Sequence, residues 1–283
     1  MVNSALHPRA IVTGAVGGRT LGRARRWVVK RLYTYLADRY PMPDWTTMNY
    51  GYAPLRGEPF DRPLASDETE ALGLNLYWRV ATSGRRGAAL AGLEIVEIGS
   101  GRGGGAAYLG KVLAPKRLTA IDIAETATAL AADQHAPIGN LTFRTGDAEA
   151  ITLPDASADI VINIESAHCY ASVPRFLEGV ARILRPGGEL LFAGFAASGA
   201  AEERLLSALK SSPMRLVRID DITDNITASL SADEARKRAF LNAHVTGWFK
   251  SFAVGAYALS GTPMRRALEA GKTRYLTAVL SKD

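Results

Sequence analysis

A doubly wound, mostly parallel α/β sheet is the fold class this sequence predicts, and three observations predict it. Short apolar runs alternate with helical stretches through residues 90–200. Those runs are apolar on consecutive positions, as strands covered on both faces must be. A glycine cluster, EIGSGRGGG from Glu97 to Gly105, directly follows the first run. Glycine costs stability in regular elements, so such a cluster marks a turn with positive φ or a backbone that something approaches closely.

Taken in order, the elements begin with a helix near residues 20–38, where Leu21, Val28, Leu32, Tyr35 and Leu36 recur at helical intervals. Tyr40-Pro41-Met42-Pro43 stops it, because proline cannot continue a helix. A second helix is expected from Glu68 to Arg86. LEIVEIG reads as a strand, Gly104 to Leu113 as a helix, RLTAIDI as a strand, Glu125 to Gln134 as a helix and LTFRTGD as a strand. ADIVINIE is the fourth strand, Pro174 to Leu184 a helix, and GGELLFAGF a fifth strand after the turn Arg185-Pro186-Gly187-Gly188. The alternation makes the sheet Rossmann-like. Residues 200–265 read mainly as helices inserted to roof a substrate, and TRYLTAVLSK, residues 273–282, reads as the final strand. The expected division is a helical N-terminal extension and lid over residues 1–80 and a binding domain over 81–283.

Composition narrows the function. The chain has 283 residues, 47% hydrophobic and 22% charged, ordinary for a globular protein. Its single cysteine, Cys169, excludes an internal disulfide framework and points to a reducing, cytoplasmic setting. No secretory or transmembrane segment is legible, and four scattered histidines do not make a zinc site. The net charge of +6 is concentrated in the first 40 residues, where Arg9, Arg19, Arg23, Arg25, Arg26, Lys30, Arg31 and Arg39 face only Asp38. Such a segment is either a solvated face or a surface for nucleic acid, an anionic membrane, an acidic substrate or a partner subunit. Ten aromatics lie between Trp27 and Trp78, which suits core packing and also an apolar pocket wall.

The glycine loop sits at the carboxyl end of the first strand, where such sheets bind ligands. Asp122 ends the second strand, 21 positions after Gly101, where a carboxylate can accept from ribose hydroxyls. Asp147 ends the third and can accept from an exocyclic amine. The spacing from Gly99 through Gly104 also satisfies G-x-G-x-x-G, so spacing alone does not separate a dinucleotide from another nucleoside cofactor.

The set as a whole does separate them. E-x-G-x-G-x-G, the acidic second-strand end, GDAE, L-P-x-x-x-x-x-D and LRPGG over residues 93–195 resemble the class I S-adenosylmethionine-dependent methyltransferases. LNLYWRVA, EIGSGRGGGAAYL, GDAEAITLP, NIESAHCY and the terminal SKD narrow the resemblance to the lipid and polyketide group that includes phthiotriolone dimycocerosate O-methyltransferases. It runs from about residue 45 onward, thinly over 200–265, and leaves residues 1–40 outside. It implies S-adenosylmethionine as cofactor, with Glu97, Gly99, Gly101 and Gly103 at the methionine end and Asp122 at the ribose. Asp147 and Ala148 would meet the adenine, and the Asn163 backbone the amino group. It also implies that the closing strand is antiparallel.

Methyl transfer needs an aligned acceptor and, for a hydroxyl, a base. His168, in the polar stretch after the fourth strand, is the candidate base, since an imidazole titrates near neutrality; its structural alternative is a helix cap. Glu165 is the second candidate, either orienting His168, facing a developing positive charge, or fixing the loop. Tyr33, Tyr170 and Phe195 are the candidate acceptor-pocket walls. O-methylation of a hydrophobic secondary metabolite or lipid is the leading reading. The runner-up is C-methylation of a prenyl double bond through a carbocation held by aromatic faces and Glu165. Nucleic acid is disfavoured because NIESAHCY lacks the N/D-P-P-Y/F pattern of base amino-methylating enzymes. The N-terminal helix is expected to cover the acceptor pocket of its own or a neighbouring subunit in a homo-oligomer, with weak membrane-surface contact for a lipophilic substrate. No metal is demanded.

Overall fold

The computed structural model describes residues 19–40, 42, 45–63 and 70–283. His7, Arg9, the Pro41 and Pro43 helix stop and the Glu68 helix start lie outside the described residues.

The chain opens with α1 (Arg19–Arg39), followed by α2 (Ala71–Ala81). α2 ends sooner than its sequence pattern suggests because Thr82 and Ser83 turn their hydroxyls back onto the carbonyls of Trp78 and Val80, at 2.8 and 2.7 Å. The alternating core comes next: β1 (Glu94–Ile98), α3 (Gly104–Val112), β2 (Arg117–Asp122), α4 (Glu125–Gln134) and β3 (Leu141–Thr145). It continues with β4 (Ala158–Ile164), a 3-10 turn over Ala167–Cys169, α5 (Val173–Ile183) and β5 (Leu184–Ala197). The LRPGG turn survives inside β5 as an excursion: pairing with β4 passes from Ala158 opposite Leu184 to Ile160 opposite Glu189, with Gly187 at φ 73°. The remainder is α6 (Ala200–Lys210), β6 (Arg215–Asp221), α7 (Thr223–Ala232), α8 (Glu234–His244), α9 (Trp248–Ala256), α10 (Pro263–Glu269) and β7 (Thr273–Ser281).

The seven strands are ordered β3-β2-β1-β4-β5-β7-β6. The first five are mutually parallel, and β7 runs antiparallel to both neighbours. The last strand of the chain is therefore antiparallel, as expected, but it lies between β5 and a strand that the sequence reading counted among helices, β6. Two buried apolar clusters cover the two faces, one built on Leu76, Ile95, Leu118 and Tyr275, the other on Val96, Phe176, Leu177 and Phe192. A third joins the end of α1 to the inserted helices through Leu36, Tyr40, Trp45, Leu241 and Phe249. Ala37 and Tyr33 also pack on Ala124 and Ala127, seating α1 beside the start of α4. α1 therefore lies over the carboxyl end of β2.

Candidate active site

A cleft opens at the carboxyl ends of β1 to β4. Gly99 and Gly101 line it at φ 83° and 55°, in the left-handed region that favours glycine. Gly99 leaves no room for a side chain, since a Cβ there would lie 2.4 Å from Ser166, whereas one on Gly101 would meet only the movable end of Met48, at 2.8 Å. Asp122 lines the same cleft and anchors the loop, its two oxygens accepting from the N–H groups of Gly101 and Ala124 at 2.8 and 2.9 Å. Burial raises its pKa, opposed by those N–H bonds. Each oxygen keeps a lone pair with which to accept further. Asp147 and Ala148 line the opposite side, with Asp147 accepting from the Glu149 N–H at 2.9 Å. A nucleoside fits this donor and acceptor set, with carboxylates for a diol and an amine against a backbone that tolerates close approach.

Three expected cofactor residues stand behind the wall instead of lining it. Glu97 is buried; Tyr77 lines the cleft in front of it and donates to Glu97 Oε1 at 2.8 Å. Glu97 Oε2 is buried with no partner, and burial, with Asp122 nearby, lifts the pKa to about 7 against the Tyr77 hydrogen bond. Gly103 is the N-cap of α3, at φ 80°. Asn163 is fully buried, its amide nitrogen 2.8 Å from the Ile98 carbonyl and 2.7 Å from the hydroxyls of Ser166 and Tyr170. Ile164, Glu165 and Ser166 make the wall where Asn163 was expected. At the start of α3, Gly104 donates to the Thr46 carbonyl at 3.2 Å, and the Tyr77 ring lies where a Gly105 Cβ would be.

A second, larger cavity of about 430 Å³ adjoins the first, and Tyr33, Met48, Asn49 and Glu165 line both. Its walls come from α1 (Leu32, Leu36), the segment after it (Trp45, Tyr50), β5 (Phe195), α9 (Phe249, Phe252) and α10 (Met264). His168 lines this cavity, stacked on Phe195 with ring centroids 4.7 Å apart. Phe195 stacks in turn on Tyr50 at 5.5 Å. Glu165 stands at the neck with φ 48°. Its Oε1 accepts from the Tyr50 N–H at 2.8 Å and the Tyr275 hydroxyl at 2.9 Å. Burial carries its pKa up to about 7 against those two bonds. Tyr33, half-buried beside the Cys169 thiol and near the carboxylates of Asp122 and Glu165, is held well above the usual phenol pKa, so it stays protonated. Tyr170 was expected in the acceptor pocket; it lies in the first cleft, 2.8 Å from the Ser166 hydroxyl. Sequence reasoning missed Met48, Asn49, Phe249 and Phe252, which belong to no motif, whereas Trp45 is one of the aromatics expected to suit a pocket wall. Among the described residues no group of three or more His, Cys, Asp or Glu is set to hold a metal ion.

Comparison with known proteins adds identity to this geometry. A family described as a methyltransferase domain matches residues 96–192. The phthiotriol/phenolphthiotriol dimycocerosates methyltransferase of Mycobacterium leprae is 31% identical over 270 residues, covering 95% of this chain and 96% of that protein. The fatty-acid O-methyltransferase of Mycolicibacterium smegmatis is 36% identical over 164 residues, 58% of this chain and 57% of that one. Among solved structures, a geranyl diphosphate methyltransferase in complex with GPP and sinefungin superposes with a TM-score of 0.66 at 13% identity, over 92% of this chain and 100% of that one.

Proposed function

The chain belongs to the S-adenosylmethionine-dependent methyltransferases, and from that premise we propose that it O-methylates a hydroxyl on a hydrophobic, lipid-like small molecule. The observation that carries this reading is the large cavity lined mostly by apolar side chains that meets the cofactor cleft at Glu165, with His168 in its wall. Relatives named for dimycocerosate lipids and fatty acids support the substrate class.

S-adenosylmethionine, when bound, supplies an electrophilic methyl on a positively charged sulfur. The chain supplies alignment and a proton acceptor. In this reading Asp122 takes the ribose, Asp147 and Ala148 the adenine, and Gly99 and Gly101 let the methionine end lie against backbone. Glu97 acts from beneath, through its unpartnered Oε2. Tyr33, Met48 and Asn49 narrow the neck so that the acceptor oxygen enters facing the first cleft. His168 takes the hydroxyl proton as the new C–O bond forms, and Phe195 holds its ring by stacking. The apolar walls exclude water from the reacting atoms. Residues 1–80 act as a lid in this scheme, and α1 is its moving part.

A second reading rests on the surroundings of Glu165. Its carboxylate lies among Tyr50, Tyr275 and Phe195, a set that would also stabilise a carbocation during C-methylation of a prenyl double bond. The deciding experiment measures methyl turnover on lipophilic alcohols, phenols and prenylated compounds with wild type, His168→Ala and Glu165→Gln. An ether product lost at least ~100-fold with His168→Ala supports the first reading. A carbon-methylated product that depends on Glu165 more than on His168 replaces it with the second.

A further inference from the structure

Arg102 stands in the middle of the cofactor loop, between Gly101 and Gly103, and lines the cofactor cleft. Its side chain nevertheless leaves the loop for the other cavity. The guanidinium carbon lies 4.1 Å from the centre of the Trp45 ring, a close cation–π contact. Nη2 donates to the Leu36 carbonyl at 2.9 Å. That carbonyl belongs to the last turn of α1 and also accepts from the Tyr40 N–H at 3.1 Å, so both its lone pairs are used. A cation at a helix C-terminus is further favoured by the helix dipole. Trp45 and Leu36 both line the acceptor cavity, and the Trp45 ring packs edge-on against Phe240 at 5.5 Å. A buried guanidinium in a glycine loop is expensive, and these two contacts offset part of that cost while Nη1 stays buried with no hydrogen-bond partner. They sit on the lid, not on the loop that carries the side chain.

We propose that Arg102 is a positioning residue for methyl transfer: it latches α1 and Trp45 over the acceptor cavity from within the cofactor loop, so that ordering the loop closes the lid. The neighbouring backbone contact, Gly104 N–H to the Thr46 carbonyl, ties the same two segments and gives the latch a second point of attachment. Cofactor entry fixes Gly99 to Gly103, which fixes the root of the guanidinium, and the lid then finds its partner in one place. The kinetic consequence rests on the acceptor assignment proposed above; the coupling itself does not, and it is measured without any acceptor.

The test is amide hydrogen exchange of the full chain with and without saturating S-adenosylhomocysteine, comparing wild type, Arg102→Met and Trp45→Leu. In wild type the ligand should slow exchange across residues 28–40 by roughly tenfold. Arg102→Met should bind the ligand within about tenfold of wild type by calorimetry, yet pass less than about a twofold slowing to those residues. Trp45→Leu breaks the contact from the lid side without touching the loop, and should lose the slowing in the same way even if Arg102→Met does not fold. In turnover, Arg102→Met should raise the acceptor KM about tenfold while the cofactor KM moves less than about threefold. The proposal is overturned if wild type shows no ligand-dependent slowing over 28–40 or if either folded variant keeps it. It is also overturned if Arg102→Met loses ligand binding altogether, which would make Arg102 a cofactor contact.

Discussion

Two carboxylates, Glu97 in the core and Glu165 at the cavity neck, bear on how stability changes with pH. Glu97 and Glu165 both titrate near 7 in the fold, against 4.5 for a free glutamate. Between those values the folded chain holds protons that the unfolded chain has released. Stability is therefore greatest at the acid end of the window, falls as pH rises through it, and carries the full penalty above about pH 7. For Glu97 that penalty is about 3 kcal/mol. Urea unfolding from about pH 5 to 8 should show wild type losing stability and Glu97→Gln losing distinctly less, while the variant binds S-adenosylhomocysteine more weakly. At Gly99 a methyl group would need both a left-handed backbone and space that Ser166 occupies. Gly99→Ala should weaken cofactor binding roughly 10- to 100-fold by calorimetry. These residues were legible in the sequence because glycines and acids at strand ends carry their reason locally. Glu97, Gly103 and Asn163 stand one layer behind the wall and Tyr170 lines the cofactor cleft instead of the acceptor cavity, since whether a side chain lines a cleft or lies behind its wall depends on neighbours such as Tyr77 that come from elsewhere in the chain.

α1 is an element with two faces. Leu32, Tyr33 and Leu36 look into the cavity, whereas Trp27 is 63% exposed on the other side with the Arg31 guanidinium 5.1 Å from its ring centre. Deleting residues 1–40 should strip one wall from the acceptor cavity and lower kcat/KM for a lipophilic acceptor at least ~10-fold, while cofactor binding changes less. Unchanged kinetics would remove α1 from the site. Among the described residues the outer face carries Lys30, Arg31 and the exposed Trp27, the side chains that the expected membrane-surface contact would present to an anionic bilayer. Co-sedimentation with phosphatidylglycerol vesicles should fall when Lys30→Glu and Arg31→Glu are combined, and neutral vesicles should bind neither form. Among the described residues no helix is long and apolar enough to cross a membrane. The cavity was legible in outline, because the N-terminal helix, Tyr33 and Phe195 were expected around the acceptor with residues 200–265 above it. The individual side chains that finish its wall, Met48, Asn49, Phe249 and Phe252, were not, since each taken alone reads as ordinary amphipathic packing.

Across the whole molecule, the five parallel strands were readable because each is an apolar run bounded by turns, as burial on both faces demands. β6 was not, because RLVRIDD is an edge strand with Val217 half exposed and arginines and aspartates among its neighbours, a pattern a solvated helix shares. β7, buried nearly throughout, holds β6 to the rest of the sheet. A chain shortened to Lys272 should lose cooperative unfolding in urea and all S-adenosylhomocysteine binding, since β5 and β6 would both keep open edges. That order of strands also matters during synthesis. β6 leaves the ribosome roughly 60 residues ahead of β7, an interval of roughly 3–12 s at ordinary elongation rates. For those seconds the nascent sheet ends at an unpaired β5 while four helices emerge beyond it, so the enzyme completes its sheet late and depends until then on whatever shields that edge in the cell.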